Sequence, residues 1–308
     1  MSRESSIATE AVTPADAAVS CLLCAGTGHE RLFTKFGYDL LRCRGCALIF
    51  VGNPPPDDAV EAFYSADQDY HTELFDPEGH GFRRMQRIAE RHLRILRKSV
   101  PHGAGLRLLD IGCSTGLFLN AARADGYALR GVELSAQSAA FARAHFDLDV
   151  HAGDLESAGL EPESFNVITL FDVIEHMPDP LAGLQAIRAL LKPGGLLLQS
   201  TPNIDGLFPR LSYPVANLVD YWPHPEPPHH LFQFSVKTLK ALTARAGFSP
   251  CRTDQTRIGL DYSFGTPKSW KVSPKLVPYA MLFAPAAIVG PWIGMGDWFY
   301  LAARKPAG

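Results

Sequence analysis

The 308-residue chain has no surplus of charge of either sign. Its 29 lysines and arginines stand against 32 acids, for a net charge of −3 and a pI near 6.4. That balance gives no bulk attraction to a phosphate backbone, so nucleic acid is an unfavourable partner. A secretory signal is also lacking, because Met1 to Ala18 is polar and alanine-rich and has no apolar core of the required length. Residues 1–20 are therefore expected to be a disordered leader, and the chain is expected to be cytoplasmic. With 46% hydrophobic residues, what remains is long enough for a folded domain with an appendage.

Cysteine is scarce as well, at six residues, but four of the six are clustered. Cys21, Cys24, Cys43 and Cys46 form two C-x2-C pairs separated by eighteen residues. This spacing fits a ribbon in which four thiolates complete a tetrahedral zinc shell. Disulfide pairing competes, but a reducing compartment disfavours it. Four thiolates leave no open position, so such a zinc is structural and does not activate water. Cys113 and Cys251 read as small packing residues.

The dinucleotide fingerprint G-x-G-x-x-G is missing too. After the apolar run Leu108–Leu109, the chain reads Asp110, Gly112, Ser114, Gly116, with no glycine at 114 or 117. A strand-to-helix turn remains, with two glycines that let backbone pass close to a ligand and a helix start whose N–H groups are unpaired. Glu133 then ends a second apolar run and Gly153-Asp154 follows a third, so three acids close three successive strands.

This set resembles the class I S-adenosylmethionine-dependent methyltransferases. The resemblance extends over residues 105–308, through Phe165 to Pro180 and Leu191 to Asn203. It implies that the Asp110–Gly116 turn, with Cys113 and Ser114, surrounds the methionine part of the cofactor. It also implies that Glu133 binds the ribose hydroxyls, that Leu134 lies against adenine, and that Asp154 and Leu155 lie near the adenine edge. Phe171 joins this set at the end of the fourth strand. Acids suit a ribose diol and a sulfonium better than they suit a pyrophosphate. Asp154 has a plainer alternative as a turn or helix cap.

The apolar runs predict seven strands: 106–111, 128–133, 148–151, 167–171, 195–200, 250–258 and 298–303. They form a Rossmann-like α/β fold, a mostly parallel sheet with helices on both faces. The resemblance further implies that the last strand is antiparallel to its neighbours. Four regions are expected: the leader, a zinc ribbon at 21–52, a helical linker or lid at 53–104 opening on Asn53-Pro-Pro-Pro56, and the cofactor domain at 105–308 with an insertion at 204–234. Within the linker, Asp57 to Tyr64 and Phe82 to Lys98 read as helices, and Tyr64, Tyr70 and His71 as lid contacts. The insertion, with Phe208, Tyr213, Tyr221, Trp222 and His224 among prolines, reads as an irregular aromatic wall of the acceptor pocket.

Methyl transfer asks for positioning, plus a base where the acceptor is a hydroxyl. His176, preceded by Glu175, and His230 are the candidates, and His176 has an alternative role as a loop anchor. The function expected is methyl transfer to oxygen of a small acceptor: a natural product, sugar, phenol or quinone-like compound. A non-catalytic cofactor-binding protein whose ribbon holds a partner is the rival, as is a methyltransferase acting on lipid or RNA. Residues 276–296 carry no charge. Pro278, Pro285 and Pro291 argue against a membrane span, leaving packing on the sheet or a transient membrane contact. The oligomeric state has no signal.

Overall fold

The computed structural model describes residues 19–56, 74–219, 222, 226–274 and 276–307. The expected leader, the helix at 57–64, the lid residues Tyr64, Tyr70 and His71, and the insertion residues Tyr221 and His224 lie outside the described residues.

All seven expected strands are present. They are β4 (Arg107–Ile111), β5 (Ala128–Glu133), β6 (Val150–Ala152), β7 (Phe165–Phe171), β8 (Leu191–Pro202), β10 (Ser249–Thr256) and β11 (Trp298–Arg304). The sheet order is β10-β11-β8-β7-β4-β5-β6. β11 runs antiparallel to both β8 and β10, whereas the pairs among β4 to β8 are parallel. Central strands of such a sheet are covered on both faces, which is why β4 and β8 read as continuous apolar runs.

Alternate residues feed two cores. Leu109, Ile111, Leu197, Phe299 and Leu301 pack on one side with α4 (Pro180–Leu190) and α6 (Val236–Arg245). Leu108, Leu196, Leu198 and Tyr300 pack on the other with α1 (His80–Arg97), α2 (Leu117–Ala122) and α3 (Ala136–Phe146). Capping is local: Asp179 accepts from the N–H groups of Leu181 and Ala182 with Pro180 in the first turn, and Ser235 and Thr238 form a reciprocal capping box at α6.

A second sheet, ordered β1-β2-β3-β9, contains β1 (His29–Lys35), β2 (Tyr38–Cys43), β3 (Ile49–Val51) and β9 (Phe232–Gln233). β9 comes from the far end of the insertion and pairs antiparallel with β3. The ribbon is sandwiched. Cys21, Cys43, Leu48 and Phe50 belong to the core beside α4 and α6, while Leu32, Phe33, Leu40, Ile49 and Val51 cluster with Ile204, Ala216 and Trp222 of the insertion. A unit of some thirty residues buries too little surface alone and gains a core by borrowing one.

Two expectations are corrected. The insertion is not irregular at its start: α5 (Leu207–Val219) is a 13-residue helix that contains Pro214. Pro209 sits in its first turn, where an N–H has no intrahelical partner anyway. Its Tyr213 turns to Trp222, with ring centroids 5.2 Å apart. The helical part of residues 276–296 packs on neighbouring helices and not on the sheet, and the turn after it reaches β10. These residues form α9 (Leu276–Val289) followed by a 3-10 turn (Gly290–Ile293), with Pro278 and Pro285 inside the helix and Pro291 in the turn. Tyr279, Phe283, Ala286 and Ala287 pack with Phe208 of α5 and with Phe264 of α7 (Leu260–Phe264). One further short helix, α8 (Pro267–Val272), precedes α9.

Candidate active site

The carboxyl ends of β4, β5 and β7 converge on one turn. Asp110 lies between Gly131 of β5 and Thr169 of β7 in the register, and the Thr169 hydroxyl donates to Asp110 Oδ1 at 2.7 Å. Gly112, Ser114 and Gly116 all adopt positive φ, at 73°, 48° and 77°. A Cβ on Gly112 would stand 2.5 Å from Val173 Cγ2, and one on Gly116 would stand 2.6 Å from Leu148 Cδ1. Both glycines are therefore required twice, by backbone and by space. The Cys113 thiol fills the room left by Gly131, where a Cβ would lie 2.7 Å from Sγ.

Glu133 is clamped by backbone. Its Oε2 accepts from the Ser114 N–H at 2.8 Å and its Oε1 from the Ser135 N–H at 2.9 Å. Burial raises the carboxyl above its ordinary value, and the Ser135, Ser114 and Leu134 N–H groups oppose that rise. Burial also lifts Asp110, to about 7, against the Thr169 hydrogen bond and with help from the Glu133 charge. Two desolvated acids side by side await a cation or a diol.

The outer cofactor residues are disposed differently. Leu134 is exposed and Leu155 is half-buried against the core. Asp154 is exposed and its Oδ1 accepts from the Ser157 N–H at 2.7 Å, closing a local turn. Phe171 stacks on His92 of α1, centroids 3.9 Å apart and 4° from parallel.

His92, Asp172 and Trp298 were not singled out by the sequence. His92 Nδ1 lies 2.8 Å from the Tyr300 hydroxyl, and burial, with the Arg91 charge, lowers it to about 3, so it is neutral. Asp172 Oδ1 accepts from Ser200 Oγ at 2.9 Å and Trp298 Nε1 at 2.7 Å. Burial raises Asp172 to about 6 against those two bonds. Signals existed: His92 sits on the apolar stripe Ala89, Leu93, Leu96, and Asp172 is one more acid immediately after a strand.

The three candidate acid–base residues come together. His176 and His230 meet edge to face with ring centroids 4.7 Å apart, and ligand atoms of Glu175, His176 and His230 lie within 4.8 Å of one another. His176 Nδ1 lies 2.8 Å from the His229 carbonyl oxygen. A carbonyl only accepts, so Nδ1 carries the proton in that contact, and the ring is also hydrogen-bonded to the Asp172 backbone. Burial, with the His230 charge, holds His176 well below its ordinary value. Glu175 is buried at 1% exposure and burial, with the Asp172 charge, raises it well above the carboxylate range. Its backbone carbonyl accepts from the Leu231 N–H at 2.8 Å, Val51 N–H donates to the Leu231 carbonyl at 2.9 Å, and His230 Nε2 lies 3.9 Å from Glu226. His176 and His230 are thus tied to the ribbon through Leu231, the residue before β9.

At the ribbon, the four cysteine sulfurs lie within 4.8 Å of one another, all six cysteines being free thiols. The two knuckles repeat one pattern: Cys21 N–H donates to the Gly26 carbonyl and Ala25 N–H to Cys21, just as Cys43 N–H donates to Leu48 and Ala47 N–H to Cys43. Four thiols aimed at one point from duplicated turns are a donor set that suits zinc.

The family described as a methyltransferase domain matches residues 80–252. A ubiquinone biosynthesis O-methyltransferase of Cereibacter sphaeroides is 32% identical over 194 residues, covering 61% of this chain and 75% of that one. Another with the same name, from Idiomarina loihiensis, is 34% identical over 135 residues, which cover 42% of this chain and only 55% of that one. Among solved structures, a Galdieria sulphuraria protein assigned as a sarcosine dimethylglycine methyltransferase superposes with TM-score 0.52 at 19% identity, covering 82% of this chain and 99% of that one. A chain of the Haloferax volcanii complex between the Trm112 methyltransferase activator and a methyltransferase gives TM-score 0.53 at 17% identity, covering 80% and 97%. At such identities the structural likeness speaks for fold alone.

Proposed function

Because the chain belongs to the class I S-adenosylmethionine-dependent methyltransferases, we propose that it methylates a hydroxyl oxygen of a small aromatic acceptor, a phenol related to quinone precursors. The name shared by the curated relatives supports this acceptor class. The observation that carries the reading is the His176–His230 pair at the end of β7, with His176 Nδ1 directed at the His229 carbonyl and Glu175 beside both rings.

Bound S-adenosylmethionine supplies a methyl group on a sulfonium centre, which makes the reaction a single in-line displacement. The chain supplies positioning. Glu133, held by two backbone N–H groups, is oriented to bind a ribose diol, and the turn from Asp110 to Gly116 brings backbone within reach of the methionine part. The His176–His230 pair receives the acceptor hydroxyl proton as the oxygen attacks, and burial keeps the His176 ring neutral beforehand. The thiolates of Cys21, Cys24, Cys43 and Cys46 would hold a structural zinc, which would brace the ribbon whose β3 pairs with β9.

The test uses zinc-loaded full-length chain, labelled cofactor and a catechol bearing a short alkyl tail. We expect a mono-O-methyl product. His176→Asn, which preserves a donor toward the His229 carbonyl and deletes Nε2, is expected to lower kcat by roughly 10²–10⁴ with cofactor affinity unchanged. Methyl transfer to nitrogen or carbon probes but not to the catechol, or full kcat in His176→Asn, overturns the reading.

A further inference from the structure

The outer face of α9 is the least soluble-looking surface of the molecule. A helix that packs on a core through Tyr279, Phe283, Ala286 and Ala287 is expected to turn polar residues outward. Instead Met281, Leu282, Ile288 and Val289 face solvent, and Trp292 and Ile293 of the following turn extend the patch; Met281 is 76% and Trp292 83% exposed. A contiguous apolar patch of this kind marks an interaction surface.

The charges around it point to the occupant. Between Asp261 and Asp297 the sequence has no acid at all, while Lys268, Lys271 and Lys275 precede α9. Asp297 is itself buried and Lys271 is exposed. A chain of net charge −3 thus carries one stretch that is only cationic and apolar. A second copy would bring the same lysines against one another, since a two-fold interface pairs a patch with itself. An anionic lipid surface complements both features, the apolar face entering the acyl boundary and the lysines meeting headgroups, with tryptophan at the interface.

We propose that α9 and its 3-10 turn dock the enzyme in the plane of an anionic membrane surface. The helical stretch Leu276–Ile293 is long and apolar enough to span by length and composition alone, but its packing favours lying in the surface. α9 has 14 residues, and its inner stripe is committed to Phe208 and Phe264. The patch adjoins the acid–base site through one connection: Tyr262 of α7, which packs beside α9, donates to Glu226, the partner of His230, at 2.6 Å. The docking surface itself does not depend on which acceptor is methylated.

Flotation with vesicles tests it, using the zinc-loaded full-length chain. Vesicles of phosphatidylglycerol and phosphatidylethanolamine are expected to carry the chain upward. Phosphatidylcholine vesicles, or high salt with the anionic ones, are expected to lower the bound fraction severalfold. Met281→Glu combined with Trp292→Glu is expected to weaken binding by about tenfold or more, and Lys271→Glu by a smaller factor, with cofactor affinity and thermal midpoint unchanged. The proposal is overturned if anionic vesicles do not carry the chain or if the double variant floats as well as the parent. It is equally overturned if the patch reports only a concentration-dependent dimer that the double variant abolishes.

Discussion

The two ends of the active site are built in opposite ways. The end proposed to hold the cofactor is built around the β4-turn-β5 unit, in which backbone N–H groups hold Glu133 to the turn and the Thr169 hydroxyl of β7 holds Asp110. The end proposed to face the acceptor is assembled from Glu175–His176, His229–Leu231, Val51 of the ribbon and Tyr262 of α7, joined by hydrogen bonds between segments distant in the chain. Local construction makes the first end independent of the appendages. Distributed construction makes the second depend on them, and above all on the four cysteines.

That dependence gives the largest expected effect. If the four cysteines hold the proposed zinc, Cys43→Ser removes a ligand from a site whose binding energy is also folding energy. It is expected to release zinc, to expose β3 and β9 amides to hydrogen exchange, and to lower activity by about two orders of magnitude, because a displacement of about 1 Å at the base costs that much. Cofactor affinity should stay within about threefold of the parent, since Asp110 and Glu133 are held by Thr169, Ser114 and Ser135, and the ribbon meets this side through the apolar core it shares with Leu109 and Ile111. Equal loss of cofactor binding and activity would erase the contrast between the two ends.

The same contrast explains what could be read from the sequence. The seven strands and the cofactor turn are local patterns: apolar runs closed by Asp110, Glu133 and Asp154, with glycines where φ is positive. β9 has two residues, and its partner lies some 180 positions earlier, so no periodicity announces it. α5 was masked by Pro209 and Pro214, which a helix tolerates once packing on Tyr279 and Phe283 holds it. His176 and His230 were legible as candidates, but their 4.7 Å approach is a product of β9 and the ribbon. His92 falls within the stretch Phe82 to Lys98 that reads as a helix, but its place on that helix's buried stripe is set by packing on Phe171 and Tyr300.

A smaller effect sharpens the description of the cofactor end. Asp110 is raised from an ordinary 3.8 to about 7, with burial the main cause. A carboxyl raised in this way contributes stability present at low pH and lost as pH rises through about 7, because the folded chain binds the proton more tightly than the unfolded one. A cationic ligand favours the ionised form, so cofactor affinity is expected to rise roughly tenfold per pH unit across the upper part of that window and to level off above it. Asp172 and Asp297, each near 6, titrate in the same range. The informative quantity is therefore the difference between parent and Asp110→Asn in calorimetric titrations, and an identical slope in the variant would remove Asp110 from the ligand's surroundings.

The smallest effect concerns the edge of the cofactor end. Asp154 was read by resemblance as an adenine-edge residue, yet its Oδ1 is occupied by the Ser157 N–H, and that contact, with the Ser157 side chain, holds the carboxyl below its ordinary range. If closing the turn is its whole role, Asp154→Ala costs about 1 kcal/mol of stability or less and leaves cofactor affinity within about twofold. If the carboxylate also receives a hydrogen bond from the ligand, the loss of a charged acceptor should cost about 1.5–3 kcal/mol of binding, a factor of ten to more than a hundred. The two ranges do not overlap, so one binding isotherm on one folded variant separates a residue that shapes the turn from a residue that touches the ligand. It thereby fixes whether the cofactor end stops at Glu133 or reaches past β6.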